Sequence, residues 1–337
     1  MPMTQANTLE HLYAEHKGYV SDKWAIYLAE YQRLLSPFRD SPVRLVEVGV
    51  QNGGSLEIWA KYFPQAQLIL GCDINQACTQ LTYASDKIQL VVGDINQAAT
   101  LDAVFNHSYD FDIVIDDGSH TSRDIIQTFC KLFPHLKQGG LYIAEDLHCS
   151  YWEKYQGGLY HPRSSMAFFK ALADVLNFEH WGLEQHSRER LLQPFGITPE
   201  LSETLLADLH SVEFVNSMCI LSRRPAEQNQ LGRRHIVGQR ELVCPVKHLD
   251  GTYCQTPPQQ VGGAMATPPV LSQELEEVAS LLQTRLANQD HLLTEQARKI
   301  AELEQIRRQM GEQLLRAESQ LELLKELMLA NGSLESL

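Results

Sequence analysis

A chain of 337 residues, 44% hydrophobic and 21% charged, suits one medium-sized globular domain with an appendage better than two full enzymatic domains. Its formal net charge of -14 excludes a general affinity for nucleic acid or anionic membrane, which needs clustered Lys and Arg; a small neutral or cationic ligand is easier to accommodate. The opening MPMTQANTLEHLYAEHKGYV has no apolar core of the signal-peptide kind and no uncharged run is long enough to span a bilayer, so a cytoplasmic location is expected.

The first predicted element is a helix in SDKWAIYLAEYQRLLSPFR (21–39), with Ser21 and Asp22 as cap candidates. Short apolar runs then alternate with helical patterns up to Arg224, the signature of a parallel sheet covered on both faces. The strands read VRLVEVGV (43–50), QLILGCDI (67–74), IQLVVGD (88–94), FDIVIDD (111–117) and GGLYIAED (139–146). Helical stretches such as SLEIWAKYF and SRDIIQTFCKLFPHL lie between them. VEFVN and MCILSRR follow with almost no room for a helix, which predicts an antiparallel hairpin at the sheet edge. Seven cysteines at irregular spacings, with Cys72, Cys130 and Cys219 in apolar stretches, read as reduced core thiols. Cys244, His248 and Cys254 fit no standard zinc spacing.

Periodicity is lost from 225 to 269, and PPQQVGGAMATPP closes a segment that reads as a mobile linker. A different pattern fills 270–330. With Leu293 at heptad position a, the a positions include Leu286, Ile300, Leu314 and Leu321, and the d positions include Leu282, Leu303, Met310 and Leu324. A register held over about eight heptads predicts a coiled coil, and apolar g positions at Val278, Leu292, Ile306 and Leu327 widen its stripe toward three or more strands. A homo-oligomer through this coil is expected, with a partner protein as the alternative.

Three successive strand ends carry acids and glycines. The first, VEVGVQNGGSLEIW, turns from strand to helix with Glu47, Gly49, Gly53 and Ser55, where glycines let the backbone approach a ligand at a helix amino end. The second ends in Asp73, 26 residues after Glu47, where an acid commonly accepts hydrogen bonds from ribose hydroxyls. The third ends in Gly93 and Asp94, placed to reach an adenine edge, and Asp116 closes the fourth strand beside them. This pattern resembles the class I S-adenosylmethionine-dependent methyltransferases, an α/β, Rossmann-like seven-stranded sheet with helices on both faces. Gln51 departs from the middle glycine many members carry. SDKW, EVGVQNGGS, IDDGSH and GGLYIAEDLHCSYW together resemble a smaller branch, the metal-dependent sugar O-methyltransferases of the macrocin and mycinamicin type and relatives described as cephalosporin hydroxylases. The resemblance covers about residues 10–224, and implies a methyltransferase domain over 1–224 ahead of the linker and coil.

In the class I strand order the fourth and fifth strands are neighbours, so Asp117, Glu145 and Asp146 converge at their carboxyl ends. Unpaired, such carboxylates raise one another's pKa values, and a hard cation bound through oxygen, Mg2+ or Mn2+, removes the conflict. His120, one short turn after Asp117, is then the expected general base, and the resembling branch uses its matching residues in these roles. His148, His135 and His161 are expected to be structural. Tyr151 and Trp152 offer aromatic faces to a sugar, and Lys23 and Trp24 close the cleft from the amino side. The resemblance thus implies methyl transfer from S-adenosylmethionine to a sugar hydroxyl of a glycan or glycosylated metabolite. The alternatives are a hydroxylase of the same fold and a coiled-coil scaffold with a vestigial domain.

Overall fold

The computed structural model describes residues 8–184, 186–259 and 273–332. They fall into two compact units, Met1–Gln260 and Val261–Leu337.

In the first unit α1 (Leu9–Ala14) and α2 (Ala25–Leu35) precede the sheet. The chain then runs β1 (Arg44–Val48), α3 (Gly54–Tyr62), β2 (Leu68–Asp73), β3 (Ile88–Val92), α4 (Ala98–His107), β4 (Phe111–Asp116), α5 (Ser122–Leu132) and β5 (Leu136–Ala144). After β5 come α6 (Ser165–Leu176), the short α7 (Arg188–Leu192) and α8 (Glu203–Leu206), and the hairpin β6 (Leu209–Val215) and β7 (Met218–Arg223). The sheet order is β3-β2-β1-β4-β5-β7-β6, with β1 to β5 parallel and β7 antiparallel between β5 and β6. This is the seven-stranded, doubly covered sheet expected from the sequence.

Strand alternation divides the core in two. Val46, Leu70 and Val114 pack with Phe129 and Phe168 on one face, and their neighbours Leu45, Ile69, Ile113 and Ile115 pack with Tyr27, Tyr31 and Trp59 on the other. The strand order reverses beside β1, where β2 lies to one side and β4 to the other, which opens a crevice at the carboxyl ends. Register fixes what faces it: Val48 pairs with Asp116, and Asp116 with Ala144, so the residues that follow each of these emerge side by side.

Two expectations need correction. Ser21 and Asp22 do not cap α2: the helix begins at Ala25, which puts Trp24 at the cap position without a side-chain cap bond, and the Ser21 hydroxyl instead lies 3.0 Å from Tyr13 Oη. The stretch beyond Arg224 does not leave the domain at once. Leu231 N–H donates to Glu179 Oε1 at 2.8 Å, Thr256 Oγ1 to the Glu179 carbonyl at 2.8 Å and Gln259 N–H to the Gly182 carbonyl at 2.8 Å, so backbone hydrogen bonds hold it to the first unit through Gln259. The rest of the expected linker, 260–269, lies outside the described residues. The second unit contains α9 (Gln273–Gly332), one unbroken helix of 60 residues. Leu293, Ile300, Leu303, Met310 and Leu314 are each more than half exposed on it.

Candidate active site

The crevice is built from loops that the strands cannot continue. Gly49 follows β1 at φ 91° and Gly53 caps α3 at φ 85°, both in the left-handed region that favours glycine. Between them Gln51 is held at φ 51°. The side chain of Asp73, at the end of β2, accepts the backbone N–H groups of Val50 at 2.7 Å and Gln51 at 2.9 Å through one oxygen and that of Asn75 at 2.8 Å through the other. A carboxylate bonded to backbone donors is a strong local tie, so Asp73 shapes the glycine loop as well as facing the crevice.

Two cavities meet here. One of about 190 Å³ is lined by Ile74, Gly93, Asp94, Ile95, Asp116 and Ile125. The other, about 360 Å³, is lined among others by Lys23, Ser55, Asp117, His120, Glu145 and Asp146. Gly49, Asp73 and Gly118 line both, making one continuous cleft with an apolar end and an acidic end. Ile74 stands 67% exposed at the apolar end, an uncovered aliphatic surface opposite Ile95 and Ile125 in the same cavity.

At the acidic end the carboxylates of three strands meet one buried cation of the chain. Lys23 Nζ lies 2.6 Å from Asp117 Oδ2, 2.7 Å from Glu145 Oε1 and 3.4 Å from Glu47 Oε1, with its side chain 2% exposed. Burial opposes the charge on Lys23, but Glu145, Glu47 and Asp117 outweigh it and hold its pKa well above the ordinary value. Burial also raises the three acids, Glu145 to about 8, because one ammonium does not offset so many carboxylates. Tyr31 Oη donates to Glu145 Oε1, and Trp24 Nε1 to Asp146 Oδ1 at 3.0 Å. His120 stands on the opposite side, its Nε2 3.9 Å from Asp117 Oδ1 and 3.8 Å from Asp146 Oδ2. Both His120 (φ 58°) and Asp146 (φ 54°) adopt left-handed backbone, a strained choice for such residues that turns their side chains toward each other.

Among the described residues, Asp117, His120 and Asp146 form a group whose ligand atoms lie within 4.8 Å of one another. The donor set is mainly carboxylate oxygen, and its charge is only partly offset by Lys23, so the residues fit a hard divalent cation. Glu145 is not in that group. Lys23 and Tyr31 hold its Oε1, which distinguishes it from the convergence of three acids expected from strand adjacency.

Of the residues expected to touch a cofactor, Gly49, Ser55, Asp73, Gly93, Asp94 and Asp116 line the cleft. Glu47 does not line either cavity: it is fully buried beneath the cleft, where Ser55 Oγ donates to its Oε2 at 2.7 Å and Trp59 Nε1 at 3.1 Å. Gly53 is also behind the wall, and a Cβ there would meet Tyr83 Oη at 2.2 Å. Tyr151 and Trp152 lie outside both cavities; Trp152 packs on His148 with ring centres 5.1 Å apart. His148 is tied by Nδ1 to Ser217 Oγ at 2.5 Å. The sequence reading gave Lys23 only a closing role and passed over Tyr27 and Tyr31. Their spacing, one and two helical turns beyond Lys23, was the available signal, but aromatics at that spacing read equally well as core.

Residues 46–147 match a family described as a methyltransferase domain. The chain is 40% identical over 167 residues to 8-demethyl-8-alpha-L-rhamnosyl tetracenomycin-C 2'-O-methyltransferase of Streptomyces olivaceus, covering 47% of this chain and 43% of that one. It is 34% identical over 165 residues to mycinamicin VI 2''-O-methyltransferase of Micromonospora griseorubida, covering 45% and 40%. The chain thus spans less than half the length of these relatives. Among solved structures, the MycE methyltransferase from the mycinamycin biosynthetic pathway, in complex with Mg, SAH and mycinamycin VI, superposes with a TM-score of 0.51 at 24% identity over 66% of this chain and 56% of that one. Together with the strand order, these likenesses identify residues 46–147 as the core of a class I methyltransferase domain, in a chain that resembles the macrocin and mycinamicin type of sugar O-methyltransferase.

Proposed function

We propose that the protein transfers a methyl group from S-adenosylmethionine to a hydroxyl of a sugar-containing acceptor, with a divalent cation, Mg2+ or Mn2+, at the acidic end of the cleft. The continuity between an apolar cavity beside Asp94 and an acidic cavity carrying His120 supports this reading above all. The likeness to enzymes named for methylating rhamnosyl and mycinamicin sugars supports the acceptor class.

The apolar cavity lined by Ile74 and Ile95 would take the adenine ring, with Asp94 to meet its edge. Asp73 would accept the ribose hydroxyls, and Gly49 and Ser55 would take the methionine end. Asp117 and Asp146 would hold the cation, with Glu145 tied behind them by Lys23 and Tyr31, and the ion would supply Lewis acidity that lowers the pKa of the acceptor hydroxyl. His120 takes the hydroxyl proton at Nε2, and Asp117 and Asp146 on either side stabilise the imidazolium that results. The acceptor oxygen then forms a bond to the methyl carbon as the carbon–sulfur bond breaks, and the sulfonium leaves as a neutral thioether. Holding oxygen, methyl and sulfur in line is the larger part of what the cleft contributes. Trp24, which lines the acidic end, and the exposed Tyr151 and Trp152 outside it would offer ring faces to the sugar.

The second unit carries an exposed apolar stripe in heptad register, and we take it to join copies of the chain. Among the described residues no helix is long and apolar enough to cross a membrane.

The test is to incubate the full chain with S-adenosylmethionine, Mg2+ and rhamnosylated acceptors and follow product mass. A gain of one methyl group, abolished by chelator, is expected. Absence of S-adenosylmethionine binding in calorimetry removes the reading, and a gain of oxygen in its place assigns a different reaction to the same fold.

A further inference from the structure

The outer oxygens of the acidic cluster are bonded to α2 and to the two residues that lead into it. Just before α2, Lys23 donates to Asp117 Oδ2 and Glu145 Oε1 and Trp24 Nε1 to Asp146 Oδ1, and within the helix Tyr31 Oη donates to Glu145 Oε1. Tyr27 Oη lies 2.9 Å from Asp146 Oδ1 and 3.0 Å from the Ser217 carbonyl, sharing one proton between them, and it accepts the Asp146 N–H at 3.0 Å. Tyr27 and Tyr31, four residues apart in α2, share one helical face, while Lys23 and Trp24 reach the same acids from the non-helical residues that lead into it. Tyr27 and Tyr31 are fully buried.

The acceptors are divided by the same arrangement. Asp117 gives Oδ2 to Lys23 and leaves Oδ1 toward His120; Asp146 gives Oδ1 to Trp24 and Tyr27 and leaves Oδ2 toward His120. Each aspartate is therefore turned to a fixed angle with one oxygen presented to the cleft. Behind them Glu47 Oε1 is buried without a hydrogen-bond donor, 3.4 Å from Lys23 Nζ, so the negative charge beneath the cluster is not fully met by the chain itself.

We propose that Lys23, Tyr27 and Tyr31 are positioning residues for the cation site: a donor ladder on α2 and the residues entering it that fixes which carboxylate oxygens remain free, making the docking of this amino-terminal segment a condition of cation binding. Outer partners of this kind orient ligating groups before the ion arrives, so their loss reduces affinity without removing a ligand. Trp59 and Tyr62 sit in the same aromatic core but do not touch Asp117, Glu145 or Asp146, and serve as a contrast.

This inference rests on the cation reading of the site, and the experiment separates the two. Mn2+ is titrated into the full-length protein and free ion is followed by electron paramagnetic resonance, well below the melting temperature. Tyr27→Phe and Tyr31→Phe, which delete one hydroxyl each, are expected to weaken Mn2+ binding about 10-fold to 100-fold. Tyr62→Phe, a comparable deletion in the same core, is expected to leave it unchanged. Lys23→Met is the severer variant and is read only if its circular dichroism is native. Tyrosine variants that fold and bind Mn2+ as the parent does overturn the ladder, as does an equal loss in Tyr62→Phe, which marks a general packing effect. Failure of the unmodified protein to bind Mn2+ overturns the cation reading itself.

Discussion

A Cβ built on Gly49 would lie 1.9 Å from the carbonyl oxygen of Asp117, so the glycine loop after β1 rests directly on the backbone of the carboxylate loop after β4. The two halves of the cleft are thus in rigid contact at one point. Gly49→Ala is expected to destabilise the domain by more than the ~1–3 kcal/mol that a left-handed non-glycine residue costs alone, because backbone must also move. Denaturant unfolding checks the stability, and S-adenosylhomocysteine calorimetry should show lost binding; a variant with native stability and affinity contradicts the contact.

Asp73 has two tasks in one side chain. Asp73→Asn keeps its shape but replaces one acceptor oxygen with a donor that faces backbone N–H groups. We expect a loss of roughly 1.5–3 kcal/mol in stability, the worth of hydrogen bonds to a charged group, together with weakened S-adenosylmethionine binding. Weakened binding without any loss of stability would mean that the loop does not depend on this carboxylate.

On the proposed reading the chemistry is divided between His120 and the acids. His120→Ala should spare S-adenosylmethionine binding while slowing methyl transfer by about 10² to 10⁴. Asp117→Asn should instead abolish Mn2+ binding and turnover together. If His120→Ala turns over normally in single-turnover kinetics, the base is elsewhere, and His148, on the other side of Asp146, is next in line.

His135 is a structural histidine with a pH signature. Its Nδ1 is bonded to the Tyr109 carbonyl at 2.9 Å and its ring lies against Phe105 and Tyr109, and partial burial holds its pKa below the ordinary 6.5. The folded protein therefore binds this proton more weakly than the unfolded chain does. Its contribution to stability is complete above pH 6.5 and is lost as pH falls from there toward the folded pKa. Melting curves between neutral and mildly acid pH should fall less steeply for His135→Gln than for the parent; superimposable profiles would remove the assignment.

The long helix should self-associate, because more than half of each of Leu293, Ile300, Leu303, Met310 and Leu314 is otherwise left in water. Ending the chain near Pro268 should yield a smaller assembly in light scattering that still binds S-adenosylmethionine. An unchanged oligomeric state after truncation would mean that the helix serves a different protein.

Much of this was legible in the sequence because it depends on local rules. Alternation within VRLVEVGV and FDIVIDD fixes which residues enter each core layer, and acids and glycines at the strand ends mark where the crevice opens. The hairpin of β6 and β7 followed from a connection too short for a helix. The heptad register of the last sixty residues needs no partner to be seen.

What only the tertiary structure decided is how the charges are shared. Glu47 looked like a cofactor contact because the motif places it at the crevice, but whether a strand-end acid faces ligand or core depends on what lies beneath it. Here Ser55, Trp59 and Lys23 take it inward. Lys23 lies 94 residues from Asp117 and 122 from Glu145, and no local periodicity encodes such a meeting. A lone lysine before a helix is ordinarily solvated, and only the packing of α2 against the sheet makes its ammonium the internal counter-charge of the site. Burial then raises the acids around it, since electrostatic energy depends on distance and solvent access, and both are set by the fold.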